Sequence, residues 1–304
     1  MTPAVSLPPF NSYLPDDVVR GITHLPSAPK VLPLLKDLLC DGTSATHEIV
    51  AFVRLDPSTA ARVLQVANSA FYSKGERCLT VSDAVNRVGY DQIYDLVSTA
   101  VASPVLAQPL AVYGIEADEL WKRSVACALA AEALAERTGR DRDVAYTIGL
   151  LHCVGMMAIN EWASHQTRAF FFKHTGYPHE ATESERAQLG FTQAAAGGAL
   201  LRTWGFAPAI ADPVRWQYTP RGSTSHVPAA TLLLAARWLR SAASVKVGTE
   251  RPPLPDAAVL RGVGLAPAAF HGLADEVAER LSVVSGLLDA GDVKAASRHC
   301  FPLE

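Results

Sequence analysis

Helical periodicity runs through almost the whole of this 304-residue chain and constrains its fold more than any other feature. Asp56 and Pro57 form an N-cap followed by a first-turn proline, and the helix after them is predicted to end near Asn68. A longer helix is predicted from Asp91, because apolar residues recur at helical spacing after it. No stretch alternates apolar and polar residues for long enough to predict a sheet. The sequence therefore predicts an all-α protein.

Three further segments give local predictions. Ser82 is expected to cap a short helix over residues 83–88, which Gly89 closes. Residues 143–161 are predicted to form one helix, and its centre is apolar on nearly every side, which is typical of a buried helix. Residues 165–189 combine glycine, proline and scattered charge. This composition predicts the largest irregular surface segment of the second half.

The last hundred residues contain three recognisable segments. The small residues 194–199 are expected to let a neighbouring backbone approach closely. Residues 244–255, rich in proline, are predicted to be a linker. Beyond them, residues 270–288 form a single amphipathic stripe in which apolar side chains are spaced three and four apart. We expect that helix to dock on its own core, with a partner helix as the alternative.

Composition and charge exclude several classes of protein. Hydrophobic residues make up 49% and charged residues 19%, so the chain can bury a core and is not a disordered tail. The net charge of -3 argues against nucleic-acid binding, and residues 1–110 hold eight basic against ten acidic side chains. The short helices within 43–103 are therefore not expected to be a helix-turn-helix.

Cysteine usage and the N-terminus point to the cytoplasm. Five cysteines without paired short spacing predict neither a disulfide framework nor a zinc ribbon, and fit a reducing compartment. Residues 1–9 lack the basic and apolar regions of a signal peptide. The longest strongly apolar stretch, 148–159, is shorter than the roughly 20 residues of a membrane span. We expect a cytoplasmic protein with no membrane partner.

The pair His152–Cys153 is the first candidate for chemistry. Nucleophilic catalysis by cysteine and histidine needs the two side chains within hydrogen-bond reach. Adjacent residues on an α-helix instead point about 100° apart. We therefore expect a core histidine bonded to backbone, beside a cysteine that fills space. A metal ion between the two side chains, completed by other helices, is the alternative.

Other polar clusters carry weaker signals. Glu183 and Glu185 lie on the segment predicted to be irregular, and a solvated face is the expected reading. His174 and His179 have no cysteine or carboxylate at metal-ligand spacing and are expected to be surface histidines. No glycine-rich loop follows a strand, so a nucleotide-binding fingerprint is missing.

Seven short motifs occur in a consistent order along the chain. They occupy residues 25–29, 55–57, 66–72, 84–89, 120–124, 149–155 and 200–206. In this order they resemble the HDOD domain, an HD-superfamily relative found in bacterial signalling proteins. The likeness covers about residues 20–240, and the Asn-Ser-Ala-Phe-Tyr block that ends at Tyr72 is its most specific part.

The resemblance implies a multi-helix bundle. An N-terminal helical subdomain would pack on a degenerate HD-like helical core, with a C-terminal amphipathic helix added. The corresponding boundaries are an N-terminal extension, an N-terminal helical part, a degenerate core, a proline-rich linker and a C-terminal helical segment, at 1–19, 20–110, 111–243, 244–256 and 257–304.

The departures from the family pattern bear on activity. Catalytic HD phosphohydrolases hold one or two metal ions with a histidine, a His-Asp pair and a further aspartate. By resemblance the first histidine falls at Arg123 and the His-Asp pair at His152–Cys153, while later histidines of relatives fall near Gln193 and at Gln217–Tyr218. A guanidinium has no lone pair for a metal, and a thiol suits Mg²⁺ or Mn²⁺ poorly. The site is expected to be vestigial, with no catalytic residue, metal or cofactor.

Arg123 is the residue whose replacement matters most in this interpretation. Its guanidinium is hypothesised to stand in for the lost cation, pairing with Glu132 or Glu161. Because the motifs of the fold are kept while its metal ligands are not, we expect a non-enzymatic regulatory or scaffolding module in bacterial signal transduction, acting on an unidentified protein partner. Phe71, Tyr72 and Arg123 are the candidate contacts, and a homodimer through the C-terminal helix is one form that the partner could take.

Two alternatives remain open from the sequence. One is a nucleotide-sensing pocket at the lost metal site, with Arg123 as the phosphate partner. The other is an atypical metal-dependent phosphohydrolase that uses His152, Cys153 and further ligands that the sequence does not identify.

Overall fold

A computed structural model describes residues 13–23, 25, 31–40, 44–73, 75–102, 109–173, 181–244 and 252–290. Within these ranges the chain forms helices and no β-strand, and one isolated antiparallel bridge joins Leu110 to Ile115. The all-α fold class predicted from periodicity is confirmed. The boundaries predicted for the domains stay predictions.

The described residues of the N-terminal part form six helices. They are α1 (Pro15–Val19), α2 (Val31–Cys40), α3 (Thr46–Arg54), α4 (Pro57–Ala67), α5 (Val81–Val88) and α6 (Tyr90–Ala102). Within this part α4 packs against α5, and α2 packs against α3 and α6. Trp121 of the following helix donates its indole N–H to the carbonyl of Leu55 at 2.8 Å and so joins this part to the core.

The rest of the chain forms a second helical layer. Its helices are α7 (Ala117–Arg137), α8 (Arg142–Leu150), α9 (Val154–Ser164), α10 (Thr182–Leu189), α11 (Gln193–Thr203), α12 (Pro208–Arg215), α13 (Val227–Ala243), α14 (Ala257–Val263) and α15 (Pro267–Asp289). The long helix α7 lies at the centre, because α8, α13 and α15 all pack against it. Most of its side chains between Leu120 and Ala135 are buried.

The caps show where local sequence decides structure. Asp56 accepts hydrogen bonds from the backbone N–H groups of Ser58 and Thr59, and α4 ends at Ala67, so this predicted helix is confirmed. The cap of α5 is corrected. Thr80, two residues before Ser82, accepts the N–H of Asp83 at 3.1 Å and starts the helix at Val81.

The helix predicted over residues 143–161 is broken at its centre. A 3₁₀ turn, Leu151–Cys153, separates α8 from α9. Two close approaches fix this region: a Cβ on Gly149 would lie 2.6 Å from the carbonyl oxygen of Cys127, and one on Gly155 would collide with the backbone of Gln193. The small residues of α11 allow the approach of α9, as predicted. The break turns His152 and Cys153 away from α-helical geometry.

The segment predicted to be irregular contains a helix. Residues 182–189 form α10, which Gly190 ends in a left-handed conformation. The prediction of an irregular segment is therefore wrong for these residues, which form a short helix. His174 and His179 lie outside the described residues.

The C-terminal helix α15 docks within the chain. Phe270, Leu273, Val277, Val284 and Leu288 are buried, and only Leu281 of the predicted stripe is half-buried. Trp238 of α13 lies 5.1 Å from Phe270 between ring centroids. The intramolecular alternative for this stripe is confirmed. The linker before it falls partly outside the described residues.

One helical run reaches the length and apolarity of a membrane span. It is Arg142–Ser164, which consists of α8, the 3₁₀ turn and α9, and 83% of its apolar window is buried inside the protein. The bent pair α14 and α15 passes the same test only if counted as one span, with a 74° bend between the two helices. The buried run has the character of a core helix.

Candidate functional site

His152 is the centre of a buried polar network at the position that the resemblance assigns to the metal site. Its side chain is fully buried, and Nδ1 lies 2.7 Å from the carbonyl oxygen of Gly149. A carbonyl only accepts hydrogen bonds, so Nδ1 carries a proton, and in the neutral imidazole the lone pair is then on Nε2. Nε2 is therefore the nitrogen left to bind a metal or accept a further hydrogen bond.

That nitrogen already has two neighbours. Arg240 of α13 places Nη1 3.2 Å from Nε2 of His152, and Cys153 places Sγ 3.0 Å from it. The contact with Cys153 corrects the expectation that the two side chains diverge. The 3₁₀ turn replaces α-helical geometry at this point, and adjacent side chains are brought into reach of each other.

Three residues at positions of the family's later histidines join this network. Gln217 donates its amide N–H to the carbonyls of His152, at 2.9 Å, and Val214, at 3.0 Å. Gln193 donates its amide to Tyr218 at 2.9 Å. The structure thus brings together the positions that the resemblance linked, although they are far apart in sequence. The Oε1 atoms of both glutamines are buried and have no hydrogen-bond partner among the described residues.

Glu185 extends the network toward the N-terminus of α11. It was predicted to be solvated, yet it is buried. One carboxylate oxygen accepts the hydroxyl of Tyr113 at 2.9 Å, and the other accepts the backbone N–H of Gln193 at 2.8 Å. Burial, followed by the adjacent Glu185 carboxylate, raises the pKa of Tyr113 well above its usual value.

Two arginines of α13 complete the network. Arg237 stacks its guanidinium over the ring of Tyr218 at 4.1 Å and donates to the carbonyl of Gln217 at 3.3 Å. Arg240 follows one helical turn later on the same face. Neither was singled out from the sequence. The signal that points to them is two guanidinium groups inside an otherwise apolar helix, since a buried charge needs a specific partner.

The donor set at this position does not fit the metal centre of a phosphohydrolase. Within the described ranges, no group of three or more histidine, cysteine, aspartate or glutamate side chains is arranged to hold an ion. The Nε2 lone pair of His152 faces the Arg240 guanidinium. A divalent ion there would compete with a fixed positive charge, and Cys153 is the second donor beside it.

Arg123 lies apart from the network. Its Nε and Nη2 atoms donate to one oxygen of Glu119, at 3.1 and 2.6 Å, one turn earlier on α7. The hypothesis that it pairs with Glu132 or Glu161 is wrong. Glu161 contacts His165 instead, at 3.2 Å, and Glu132 is engaged elsewhere. The guanidinium beside His152 comes from α13, not from α7.

The Asn-Ser-Ala-Phe-Tyr block begins an exposed loop, the Phe71 loop (described residues 68–73 and 75–78). Asn68 closes it with two hydrogen bonds to the backbone of Cys78: its Oδ1 accepts the N–H at 2.7 Å and its Nδ2 donates to the carbonyl at 3.2 Å. Tyr72 donates its hydroxyl to Gln92 at 3.1 Å. Phe71 stands out from this closed loop with 85% of its surface exposed.

Comparison with known families decides the assignment that these motifs suggested. The HDOD domain matches residues 25–220, which is more than half of the chain. This chain belongs to the HDOD domain family. The match spans the Phe71 loop and all of the network except the two arginines of α13.

Solved structures of similar fold come from several bacteria. The MmoQ response regulator of Methylococcus capsulatus is 19% identical, with a TM-score of 0.64, over 84% of this HDOD chain and 99% of its own. A virulence factor of Campylobacter jejuni is 17% identical, with a TM-score of 0.57, over 74% and 82%. At these identities the comparison establishes the shared fold.

A curated relative adds a partial match. An uncharacterized protein of Treponema pallidum is 29% identical over 140 residues, which is 45% of this HDOD chain. The chain spans about a quarter of that relative's length, since the match covers 26% of it.

Proposed function

We propose that this HDOD protein is a non-enzymatic regulatory or scaffolding module in bacterial signal transduction, acting through contacts with a protein partner. The observation that carries the proposal is the guanidinium of Arg240 at the Nε2 atom of His152. It is supported by the name of one relative of the same fold, a response regulator. The module is proposed to work in the cytoplasm, without a membrane or nucleic-acid partner.

Physical chemistry connects that contact to the proposed loss of hydrolysis. A metal-dependent phosphohydrolase needs an ion that activates water and polarises phosphate. The imidazole offers one lone pair, and a permanently charged guanidinium is directed at it. Arg240 thus supplies positive charge at this position without an exchangeable coordination site. The fold is retained while the coordination chemistry is replaced.

Metal content tests this part of the proposal. Protein without a histidine tag is incubated with Mn²⁺ or Zn²⁺, dialysed, and measured by plasma mass spectrometry. We expect a stoichiometry near zero for the wild type. About one ion per chain, lost in His152→Ala but kept in His165→Ala, would overturn the proposal and favour the atypical phosphohydrolase. His165 is the matched control because its side chain is exposed and lies just after α9.

The Phe71 loop is proposed as the partner contact. An aromatic ring held outward on a closed loop can fill an apolar pocket without a large ordering cost. Arg77 strengthens the loop by donating to the carbonyls of Asn68 and Gly205. Tyr72 lies against Phe71, with 4.8 Å between ring centroids, so the two rings form one surface.

A matched pair of variants tests the contact. Chemical crosslinking and mass spectrometry in a bacterial lysate are compared for the wild type, Phe71→Ala and Phe171→Ala. Phe171 is the control because it is also exposed, at 64%, and belongs to another part of the surface. We expect one crosslinked protein to be lost with Phe71→Ala and retained with Phe171→Ala. Equal retention in both variants would remove this loop from the proposal.

A small-ligand site is the second candidate function. The residues proposed to form it are on α13, in place of Arg123. Two buried guanidinium groups, Arg237 and Arg240, lie on one face of α13, and two buried amide oxygens beside them lack a partner among the described residues. A nucleoside monophosphate offers negative charge on its phosphate, which suits guanidinium groups, and hydroxyl donors on its ribose, which suit amide oxygens. Guanosine monophosphate and inorganic phosphate are suitable probes in thermal unfolding. A midpoint raised in the wild type but not in Arg237→Lys supports this candidate.

A further inference from the structure

A single buried carboxylate joins α3, in the N-terminal part, to the C-terminal helix α15. Glu132 lies on α7 and is 3% exposed. Its Oε1 accepts from Arg54 of α3 at 2.9 Å, and its Oε2 accepts from Arg280 of α15 at 2.6 Å. The N-terminal helices and the C-terminal helix therefore share one counter-charge.

Arg54 is anchored on more than one side. Its other terminal nitrogen pairs with Asp143 of α8 at 2.7 Å, and its guanidinium lies 4.1 Å from the ring centroid of Tyr146. Tyr146 in turn donates its hydroxyl to the carbonyl of Arg54 at 3.0 Å. The end of α3 is thus held on the α7–α8 pair through this residue. From there the chain passes directly into α4 and the Phe71 loop.

Burial makes the two ion pairs on Glu132 interdependent. A carboxylate removed from water needs compensation at both oxygens, and interactions within one buried network are not additive. When Arg280 leaves, Arg54 is the guanidinium that remains on the carboxylate. Reorientation of the carboxylate, or entry of water at the vacated oxygen, then changes the geometry at Arg54. The coupling comes from a shared charge, and direct contact between α3 and α15 is unnecessary.

We propose that Glu132 couples docking of the C-terminal helix α15 to the packing of α3, so that release of α15 loosens the N-terminal helices that carry the Phe71 loop. The coupling depends on the ion pairs alone. Its use as a signal from one surface to another rests on the proposed function. Whatever displaces α15 would then alter how the Phe71 loop is presented.

A second ion pair between α7 and α15 supplies the matched control. Arg137 of α7 contacts Glu276 of α15 at 3.0 Å, and their side chains are 53% and 37% exposed. Exposed pairs contribute little to stability and are screened by salt. This pair also ends at α15 and has no link to Arg54 in the described contacts. Removing it tests the effect of losing an α7–α15 contact without disturbing Glu132.

Hydrogen exchange on the full chain tests the coupling. Peptides from α3, α15 and the remote helix α11 are followed by mass spectrometry in the wild type, Arg280→Gln and Arg137→Gln. We expect Arg280→Gln to speed exchange in both α15 and α3 by about threefold or more, with α11 unchanged. Arg137→Gln is expected to leave α3 at the wild-type rate. Faster exchange confined to α15 in Arg280→Gln, or equal changes in α3, α11 and α15, would overturn the coupling.

A variant at the shared carboxylate gives a second readout. In a Glu132→Gln background the added Arg280→Gln change is expected to leave α3 exchange unaltered, because the charge that links the two arginines is gone. A further increase in α3 exchange in that background would contradict the role of Glu132. If Glu132→Gln unfolds, the Arg280→Gln and Arg137→Gln comparison decides alone. Metal content and crosslinking through Phe71 are separate measurements, so failure of the coupling is distinguishable from failure of the proposed function.

Discussion

The network around His152 and the Phe71 loop reverse the usual arrangement of polar and apolar groups. In the interior, His152, Glu185, Arg237 and Arg240 are buried, although charged and polar side chains commonly stay in contact with water. At the surface, Phe71 projects an aromatic ring into solvent from a loop whose base is hydrogen-bonded. In the first region the polar side chains bond one another inside the protein. In the second region the loop leaves an aromatic ring exposed.

The difference concerns where specificity can reside. Buried polar groups that bond one another fix a single internal packing, but they are closed to an outside molecule unless the fold opens. An exposed ring on a closed loop contributes little to folding and remains available for contact. This contrast favours recognition at the surface over chemistry in the interior. Variants in the two regions should therefore respond differently.

The largest effect is expected inside the network. Arg240→Ala should lower the free energy of unfolding by roughly 2–4 kcal/mol, because it empties buried volume and removes a donor from His152. Urea unfolding measures the change. Arg240→Met, which refills much of the space, should recover part of the loss, and Arg202→Ala on the surface of α11 should stay within about 0.5 kcal/mol. An Arg240→Ala protein as stable as the wild type would show that the network does not support the fold.

The base of the Phe71 loop comes next. Asn68→Ala should cost about 2 kcal/mol, since it leaves the buried N–H and carbonyl of Cys78 without their side-chain partner. The same urea experiment checks this value. Asn86→Ala, at an exposed position of α5, is the matched control and should change stability by less than about 0.5 kcal/mol. Equal effects in the two variants would mean that the loop is not held by Asn68.

A pH effect separates the interior from the surface further. Burial, and then the adjacent Glu185, raises the pKa of Tyr113 well above its ordinary value of 10.0. The unfolded chain releases this proton near pH 10 while the folded chain keeps it, so the contribution is intact below pH 10 and is lost above it. The loss should approach about 1.4 kcal/mol per pH unit. Urea midpoints between pH 9 and 11 measure it.

Tyr113→Phe is the control for that slope. It lacks the ionisable hydroxyl, so its stability should fall less steeply over the same pH range, even if it is less stable at neutral pH. Absorbance at 295 nm gives an independent readout, because one tyrosine should titrate only when the protein unfolds. Parallel slopes in Tyr113→Phe and the wild type would contradict the assignment.

The smallest effect on stability is expected at Phe71 itself. Phe71→Ala should change the free energy of unfolding by less than about 0.5 kcal/mol, because the ring is already exposed. Phe172→Ala, at a fully buried ring, should cost about 3–5 kcal/mol in the same assay. A large loss in Phe71→Ala would show that the ring serves the fold, and the contrast between the two regions would disappear.

Local signals in the sequence were sufficient for much of the fold. The proline after Asp56 and the side-chain cap defined α4, and the spacing of apolar residues identified α15 together with its buried face. The order of motifs pointed to the HDOD family. These features are local, since a cap or a helical stripe depends on residues within a few turns.

Other features depended on contacts between distant segments. The 3₁₀ turn at His152 separates α8 from α9, and it lies beside glycines that pack on α7 and α11. The spacing of apolar residues along the sequence does not reveal these contacts. Glu185 looked solvated because its partners, Tyr113 and Gln193, come from other elements. Arg123 was chosen by alignment to a motif, yet its carboxylate partner lies on its own helix.

By itself, the sequence determined the helical class and the family, and it marked the motif positions at which the resemblance predicts that metal ligands are replaced. Only the tertiary structure decided which cation lies beside His152, which carboxylate joins α3 to α15, and which motif residue remains exposed. The physical reason is the range of the interactions. Helix formation and capping act over a few residues, whereas the pairing of a buried charge is settled by whatever side chain the packing of remote helices brings within about 3 Å.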